Sequence, residues 1–195
     1  MQLNILRLAN VYGPRQDVHS GLFGGIIHNP NHLLVQALSA LFDEDGRIAV
    51  PAFYDDVRPL SEREQTLYRS LPVDEDGYRK TLGVTELIGE PQYSLLERRW
   101  TRPTLDVNFL SGGSPRTVIP AQAQAALSCR LVPDQDPARI EAAIHDHLSA
   151  HLPAGTRLEF SGAHHAPPYY LDPDHPVVQP TLNALRSGFD IDPVL

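Results

Sequence analysis

The side chains of this 195-residue sequence that could do chemistry lie in three places. His19 stands in DVHSG, a glycine-flanked loop between two periodic segments, where a side chain can project toward solvent or a ligand. An imidazole N–H aimed at a carbonyl could stabilise the charge that develops there. Taken as one residue, His19 is more simply a loop histidine with no role. Arg130 closes a run whose alternate residues are apolar, so its guanidinium sits on the polar face and could clamp a carboxylate through two parallel hydrogen bonds. Thr117, heading TVIPA, could add a hydroxyl. Alone, these two residues read as a surface ion-pair partner and an ordinary strand residue.

The other candidates are weaker. His147 and His151 stand four apart on one helical segment beside His145, which invites a zinc reading, but Asp146 points away from that pair and no His-Glu-x-x-His pattern is present. A solvated helix flank is the simpler account. His164 and His165 precede Pro167 and Pro168 in a predicted loop and have the same default. Cys129 falls on the apolar side of its strand, as a small core residue would. Gly21, Gly24 and Gly25 supply backbone freedom, and the absence of a Lys-Ser/Thr ending sets a phosphate cradle aside.

Positioning these side chains falls to a simple series of elements. Residues 3–12 read as a strand ended by Gly13-Pro14. Asn29-Pro30 then caps a helix whose stripe is Leu33, Leu34, Ala37, Leu38 and Leu41, ending near Gly46. Residues 47–102 break into short helical pieces, 61–71, 75–82 and 93–100, and look like an insertion. Residues 104–110 alternate Leu105, Val107 and Phe109 against polar neighbours, and residues 121–132 alternate small apolar with polar side chains. Asp136-Pro137 opens a helix striped by Ile140, Ile144, Leu148 and Leu152. A strand at 156–161 and a helix at 176–185 follow.

Without the insertion the order is strand, helix, strand, strand, helix, strand. That order predicts an α+β, ferredoxin-like split βαβ fold, with an antiparallel sheet carrying two helices on one face. The whole chain reads as a single domain with a helical insertion.

Bulk properties narrow the function. The net charge of −8 opposes a phosphate backbone, so nucleic acid is not an expected partner. No apolar run approaches membrane-spanning length and the first residues lack a signal-peptide pattern, so a cytoplasmic location and no membrane partner are expected. One cysteine excludes an internal disulfide.

Two resemblances meet in LRLANVYGPRQDVHSGLFGG at residues 6–25. Its left half resembles nucleotide-sugar epimerases, but the glycine-rich cofactor turn is missing, and the only lysine, Lys80, has Asp76 rather than tyrosine four residues before it. The right half resembles the two-zinc dipeptidases, and here the likeness continues in family order. It runs through HNP, PAFYDDVRPLSE, GEPQYSLLERRWTRPTLDVN, TVIPA and SCRLVPDQDP. The chain from about Gly13 onward resembles the lid, or dimerisation, domain of co-catalytic zinc metallopeptidases and amidohydrolases similar to carnosinase.

That resemblance implies a homodimer in which His19 meets the scissile carbonyl and its oxyanion in the partner subunit's site, while Thr117 and Arg130 contact substrate. It implies two zinc ions in a catalytic domain whose His-x-Asp and Glu-Glu motifs do not occur in this sequence, so no metal ligand or cofactor is expected in the chain and it is expected to be inactive by itself. The competing expectation is a stand-alone ferredoxin-like module that binds a small carboxylate.

Overall fold

The computed structural model describes residues 5–190 and Pro193. It divides into two compact units, one made of residues 1–57 and 103–168, the other of residues 58–102 and 169–195.

In the first unit, strand β1 (Ile5–Tyr12) leads to the two-residue strand β2 (Val18–His19), the short helix α1 (Ser20–Phe23) and helix α2 (Pro30–Ser39). Three helices of the second unit follow: α3 (Glu62–Ser70), α4 (Glu75–Leu82) and α5 (Leu95–Thr101). The chain then returns to the first unit through β3 (Thr104–Gly112), β4 (Val118–Ile119), β5 (Gln122–Arg130), α6 (Pro137–Ala150) and β6 (Leu158–His165). Helix α7 (Val178–Phe189) belongs to the second unit.

The expected α+β class with an antiparallel sheet holds. The main sheet has the order β3-β5-β1-β6, every neighbouring pair antiparallel, and β2 pairs with β4 in a separate small ladder. Strand β5 shows why alternation decides the packing. Ala123, Ala125, Leu127 and Cys129 are buried, while the residues between them are only half covered. Small side chains on this face let α2 come close, and its Leu33, Leu34, Ala37 and Leu38 join Ile140, Ile144 and Leu148 of α6 in one core over the sheet.

Helix α2 starts where the sequence indicates. Asn29 accepts the Asn31 N–H at 3.0 Å, and Pro30 occupies the first turn, where a missing N–H costs nothing. The helix stops at Ser39, earlier than Gly46. Leu41 is still fully buried in the turn beyond, so the apolar stripe outlasts the helix.

Three other expectations change. Phe109 was placed on the core face of its strand, yet it is exposed. The register shifts between Val107 and Phe109, so Phe109 stands opposite Ala126 and Leu110 opposite Ala125 of the core face. Strand β6 runs on to His165, which puts that residue in the sheet rather than in a loop. Residues 47–57, read as the start of the insertion, contribute Ile48, Val50 and Phe53 to the sheet unit's core. Gln135 ties them there by donating to the Phe53 carbonyl at 2.7 Å while accepting the Val132 N–H at 2.9 Å.

The second unit is held by caps and charge. Ser61 and Ser94 each form a reciprocal capping box, with Glu64 and Glu97. Buried Glu64 also receives both guanidinium arms of Arg58, at 2.6 and 3.0 Å, and the Tyr170 hydroxyl at 3.2 Å. Those Arg58 hydrogen bonds are the largest influence on its carboxyl. With the Ser61 groups they outweigh burial and hold the pKa down at about 2 against an ordinary 4.5.

Candidate functional site

His19 is positioned by a short ladder rather than by a free loop. Val18 pairs with Ile119 and His19 with Val118, the Ser20 N–H donates to the Thr117 carbonyl at 2.9 Å, and Asp17 accepts the Ala121 N–H at 2.8 Å. These bonds fasten β2 to the entrance of β5. The His19 side chain then caps α1, its Nδ1 accepting the Gly21 N–H at 3.0 Å. Because Nδ1 uses its lone pair to accept, the neutral ring carries its proton on Nε2.

That Nε2 lies 3.5 Å from Thr117 Oγ1, at the outer limit of hydrogen bonding, and both residues are exposed. A donor N–H and a hydroxyl therefore face solvent together, able to reach one polar atom of a ligand. Gly21 is required for this arrangement. A Cβ there would stand 2.9 Å from the ring's Cε1, so a larger residue displaces the imidazole. Beyond the pair, Leu22 and Ile26 are 73% and 75% exposed and Phe23 is 41% exposed, an apolar rim beside two polar groups.

Arg130 lies elsewhere. It is the last residue of β5, half-buried, opposite Thr104 and on the sheet face away from the core. His19 and Thr117 sit where β5 begins. At about 3.3 Å per residue, this strand separates its two ends by roughly 26 Å. The structure thus brings His19 and Thr117 together and leaves Arg130 at the far end of the same strand.

The remaining candidates have structural partners. His147 Nε2 is 2.7 Å from the Ala40 carbonyl just past α2, His151 Nδ1 is 2.8 Å from the His147 carbonyl, and the His145 ring packs edge-on against Phe160. Among the described residues, no group of three or more His, Cys, Asp and Glu side chains is placed to hold a metal ion. Cys129 is buried, and burial, with the charge of Asp106, pushes its thiol up to about 12.

One constellation escaped the sequence reading. Arg7, buried on the core face of β1, donates to Glu141 at 2.7 Å, and one of its nitrogens lies 2.9 Å from His165 Nε2, which also contacts Glu141. Burial raises the Glu141 pKa, but hydrogen bonds from Arg7 and His165 win and lower it overall. The available signal was Arg7 itself, in phase with Ile5, Ala9 and Val11. Asp17 was missed as well, its role visible only once β2 lies against the β4–β5 turn.

With this geometry in view, comparison with known proteins is decisive. A model described as the M20 "Peptidase dimerisation domain" matches residues 8–156. The chain belongs to the M20 peptidase dimerisation-domain family.

Among curated relatives of this M20 dimerisation domain, the Beta-Ala-His dipeptidase of Rattus norvegicus is 36% identical over 139 residues, which are 69% of this chain and 28% of the rat protein. The Cys-Gly metallodipeptidase DUG1 of Candida albicans is 33% identical over 154 residues, 74% of this chain and 32% of that protein. The crystal structure of human carnosine dipeptidase 1 superimposes with a TM-score of 0.83 at 29% identity, covering 99% of this chain and 42% of that one. An M20 metallo-carboxypeptidase, Sso-CP2 from Sulfolobus solfataricus, gives 0.81 at 27% identity, covering 98% and 45%. The M20 dimerisation domain thus spans about a third or less of the curated relatives it matches. Among its described residues, no helix is long and apolar enough to cross a membrane.

Proposed function

We propose that this chain is the substrate-covering, homodimer-forming lid of a two-zinc dipeptidase or related amidohydrolase. In this reading His19 donates through Nε2 to the scissile carbonyl and its oxyanion, Thr117 adds a hydroxyl at the same point, and Arg130 clamps the substrate's free carboxylate. The zinc ions and their ligands belong to the catalytic part of the longer protein. There the metals supply Lewis-acid polarisation and an activated water. The isolated chain binds no zinc tightly and hydrolyses no dipeptide. The lid operates without a membrane or a nucleic-acid partner, in the cytoplasm.

The observation that carries the reading is the lock on His19. Its Nδ1 is committed to the Gly21 N–H at 3.0 Å, which leaves a preset Nε2–H donor beside Thr117. A pre-oriented donor needs no reorganisation as charge develops on a carbonyl oxygen. The apolar rim of Leu22, Phe23 and Ile26 suits a surface that closes against a catalytic domain and excludes water.

The length of β5 adds a constraint. A dipeptide of roughly 10 Å cannot touch both ends of a strand that spans about 26 Å. His19 and Arg130 of one chain therefore serve two different active sites, each completed by the other residue from the partner subunit.

Complementation tests this. In a two-zinc dipeptidase carrying this segment, His19→Ala and Arg130→Ala homodimers both lose activity. Co-expression recovers a fraction of it, because each mixed dimer keeps one site with both residues intact. Mixed dimers as inactive as either parent would refute the division between sites, and unimpaired His19→Ala homodimers would refute the role of His19.

A further inference from the structure

His19 stands on the small β2–β4 ladder and Thr117 adjoins it, whereas Arg130 belongs to the main sheet. The ladder matches Val18 with Ile119 and His19 with Val118 and goes no further. A pairing this short is marginal by itself, so other bonds must fix its angle to the main sheet.

Two connections join the ladder to that sheet. Residues 13–17 lead from β1 into β2, and Pro120 and Ala121 lead from β4 into β5. The regular pairing of β1 with β5 ends at Tyr12 and Gln122. Just beyond it, Ala121 is gripped on both sides. Its carbonyl accepts the Gly13 N–H at 2.8 Å, and its own N–H donates to Asp17 Oδ1 at 2.8 Å. The two connections are thereby stitched to each other at one residue.

The form of this stitch is informative. In a continuing antiparallel ladder Gly13 and Ala121 would exchange both backbone bonds. Gly13 supplies its N–H, but the Asp17 side chain takes the place of the Gly13 carbonyl. The chain can therefore leave the main sheet after Gly13, turn into β2, and still be tied to the start of β5. The Gly13 side of the grip is braced by helix α2, because a Cβ on Gly13 would stand 2.4 Å from Cγ of the buried Pro30. On the other side only Val18 separates Asp17 from His19, so a shift at Asp17 passes directly to the imidazole.

We propose that Asp17 is the positioning residue of the His19 and Thr117 pair. Its carboxyl oxygen, acting as a hydrogen-bond acceptor, sets the angle of the small ladder to the main sheet and with it the direction of the His19 Nε2–H. Asp17 touches no substrate. What the position requires is an oxygen within reach of the Ala121 N–H, not a charge. The catalytic consequence rests on the oxyanion role proposed above for His19, whereas the positioning itself does not.

Amide exchange in the chain tests the positioning without reference to catalysis. The Ser20 N–H, bonded to the Thr117 carbonyl, reports on the ladder, and the amides of β1 and β5 report on the main sheet. Asp17→Ala speeds Ser20 exchange about tenfold or more while the main-sheet amides keep their protection, because only the ladder loosens. A nuclear Overhauser contact between the His19 ring and the Thr117 methyl group is lost in the same variant. Asp17→Asn, which keeps the acceptor oxygen, retains both signals. Asp17 is exposed, so neither substitution threatens folding, as circular dichroism verifies.

Kinetics in a two-zinc dipeptidase carrying this segment supply the second arm. Asp17→Ala lowers kcat roughly 10- to 100-fold with little change in KM, since the donor is misplaced rather than removed. Asp17→Asn restores kcat. In a background already carrying His19→Ala and Thr117→Ala, Asp17→Ala costs almost nothing further, because it acts through those residues. Unchanged Ser20 exchange in Asp17→Ala, an Asp17→Asn variant as impaired as Asp17→Ala, or a full additional loss in that background would overturn the proposal. If exchange responds as expected but His19→Ala leaves kcat intact, the oxyanion role fails and the positioning stands. If His19→Ala lowers kcat while Asp17→Ala alters neither exchange nor kcat, the positioning fails and the oxyanion role stands.

Discussion

His19 Nε2 lies 3.5 Å from Thr117 Oγ1, with 98 residues of chain between them. The ring is held from behind by the Gly21 N–H and the hydroxyl's backbone by the β2–β4 ladder, so the pair is preset rather than induced.

On the proposed reading, His19→Ala in a two-zinc dipeptidase carrying this segment lowers kcat about 10²–10³-fold with a smaller change in KM, as expected for a donor that acts mainly on the transition state. Gly21→Ala leaves the imidazole in place chemically but pushes its Cε1 aside, so kcat falls while thermal stability changes little. Steady-state kinetics on both variants check this. An unchanged kcat for Gly21→Ala would show that the Nδ1 lock is dispensable.

Acid stability isolates the Glu64 network. Its carboxyl titrates near 2 in the folded chain against an ordinary 4.5, so its stabilisation is complete above about pH 5, declines as pH falls through 4.5, and is gone near pH 2. The contribution at neutral pH is about 3 kcal/mol. Glu64→Gln therefore costs about that much in urea unfolding at pH 7 and much less at pH 3. An equal cost at both values would mean that the Arg58 pairing adds no ionic stabilisation.

Arg7 and Glu141 form a mostly covered pair inside the sheet unit. Removing Glu141 alone takes the carboxylate away from a mostly covered guanidinium, so Glu141→Leu destabilises by about 3 kcal/mol. Adding Arg7→Met recovers most of that loss, since apolar side chains of similar volume avoid burying charge. Denaturant titrations of the two singles and the double measure the coupling. A purely additive result would rule it out.

Cys129 reports on global unfolding. With its thiol raised to about 12 and buried beneath the helices, it reacts with a disulfide reagent at pH 8 only when the unit opens. The labelling rate should follow denaturant concentration as global stability does. Rapid stoichiometric labelling of native protein would contradict the packing of β5.

Local chemistry made much of the fold legible. Asn29-Pro30, Ser61 and Asp136-Pro137 announce helix starts because their capping bonds join residues two or three apart. The alternation from Ala123 to Cys129 announces a strand buried on one face for the same local reason. Phe109 misled because a bulge adds one residue to β3 relative to β5, and that shift depends on the partner strand. Arg7 hid among apolar neighbours because its neutralising partner, Glu141, is 134 residues away.

By itself the sequence determined the order of the principal elements, the buried faces of α2, β5 and α6, and the chemical types His19, Thr117 and Arg130, since these depend on residue identity and short-range spacing. Only the tertiary structure decided that His19 and Thr117 meet while Arg130 lies a strand's length away, and that Nδ1 of His19 is spent on Gly21. Those outcomes depend on which strands pair and in what register, and backbone pairing between distant segments is set by the packing of the whole sheet rather than by any one stretch of it.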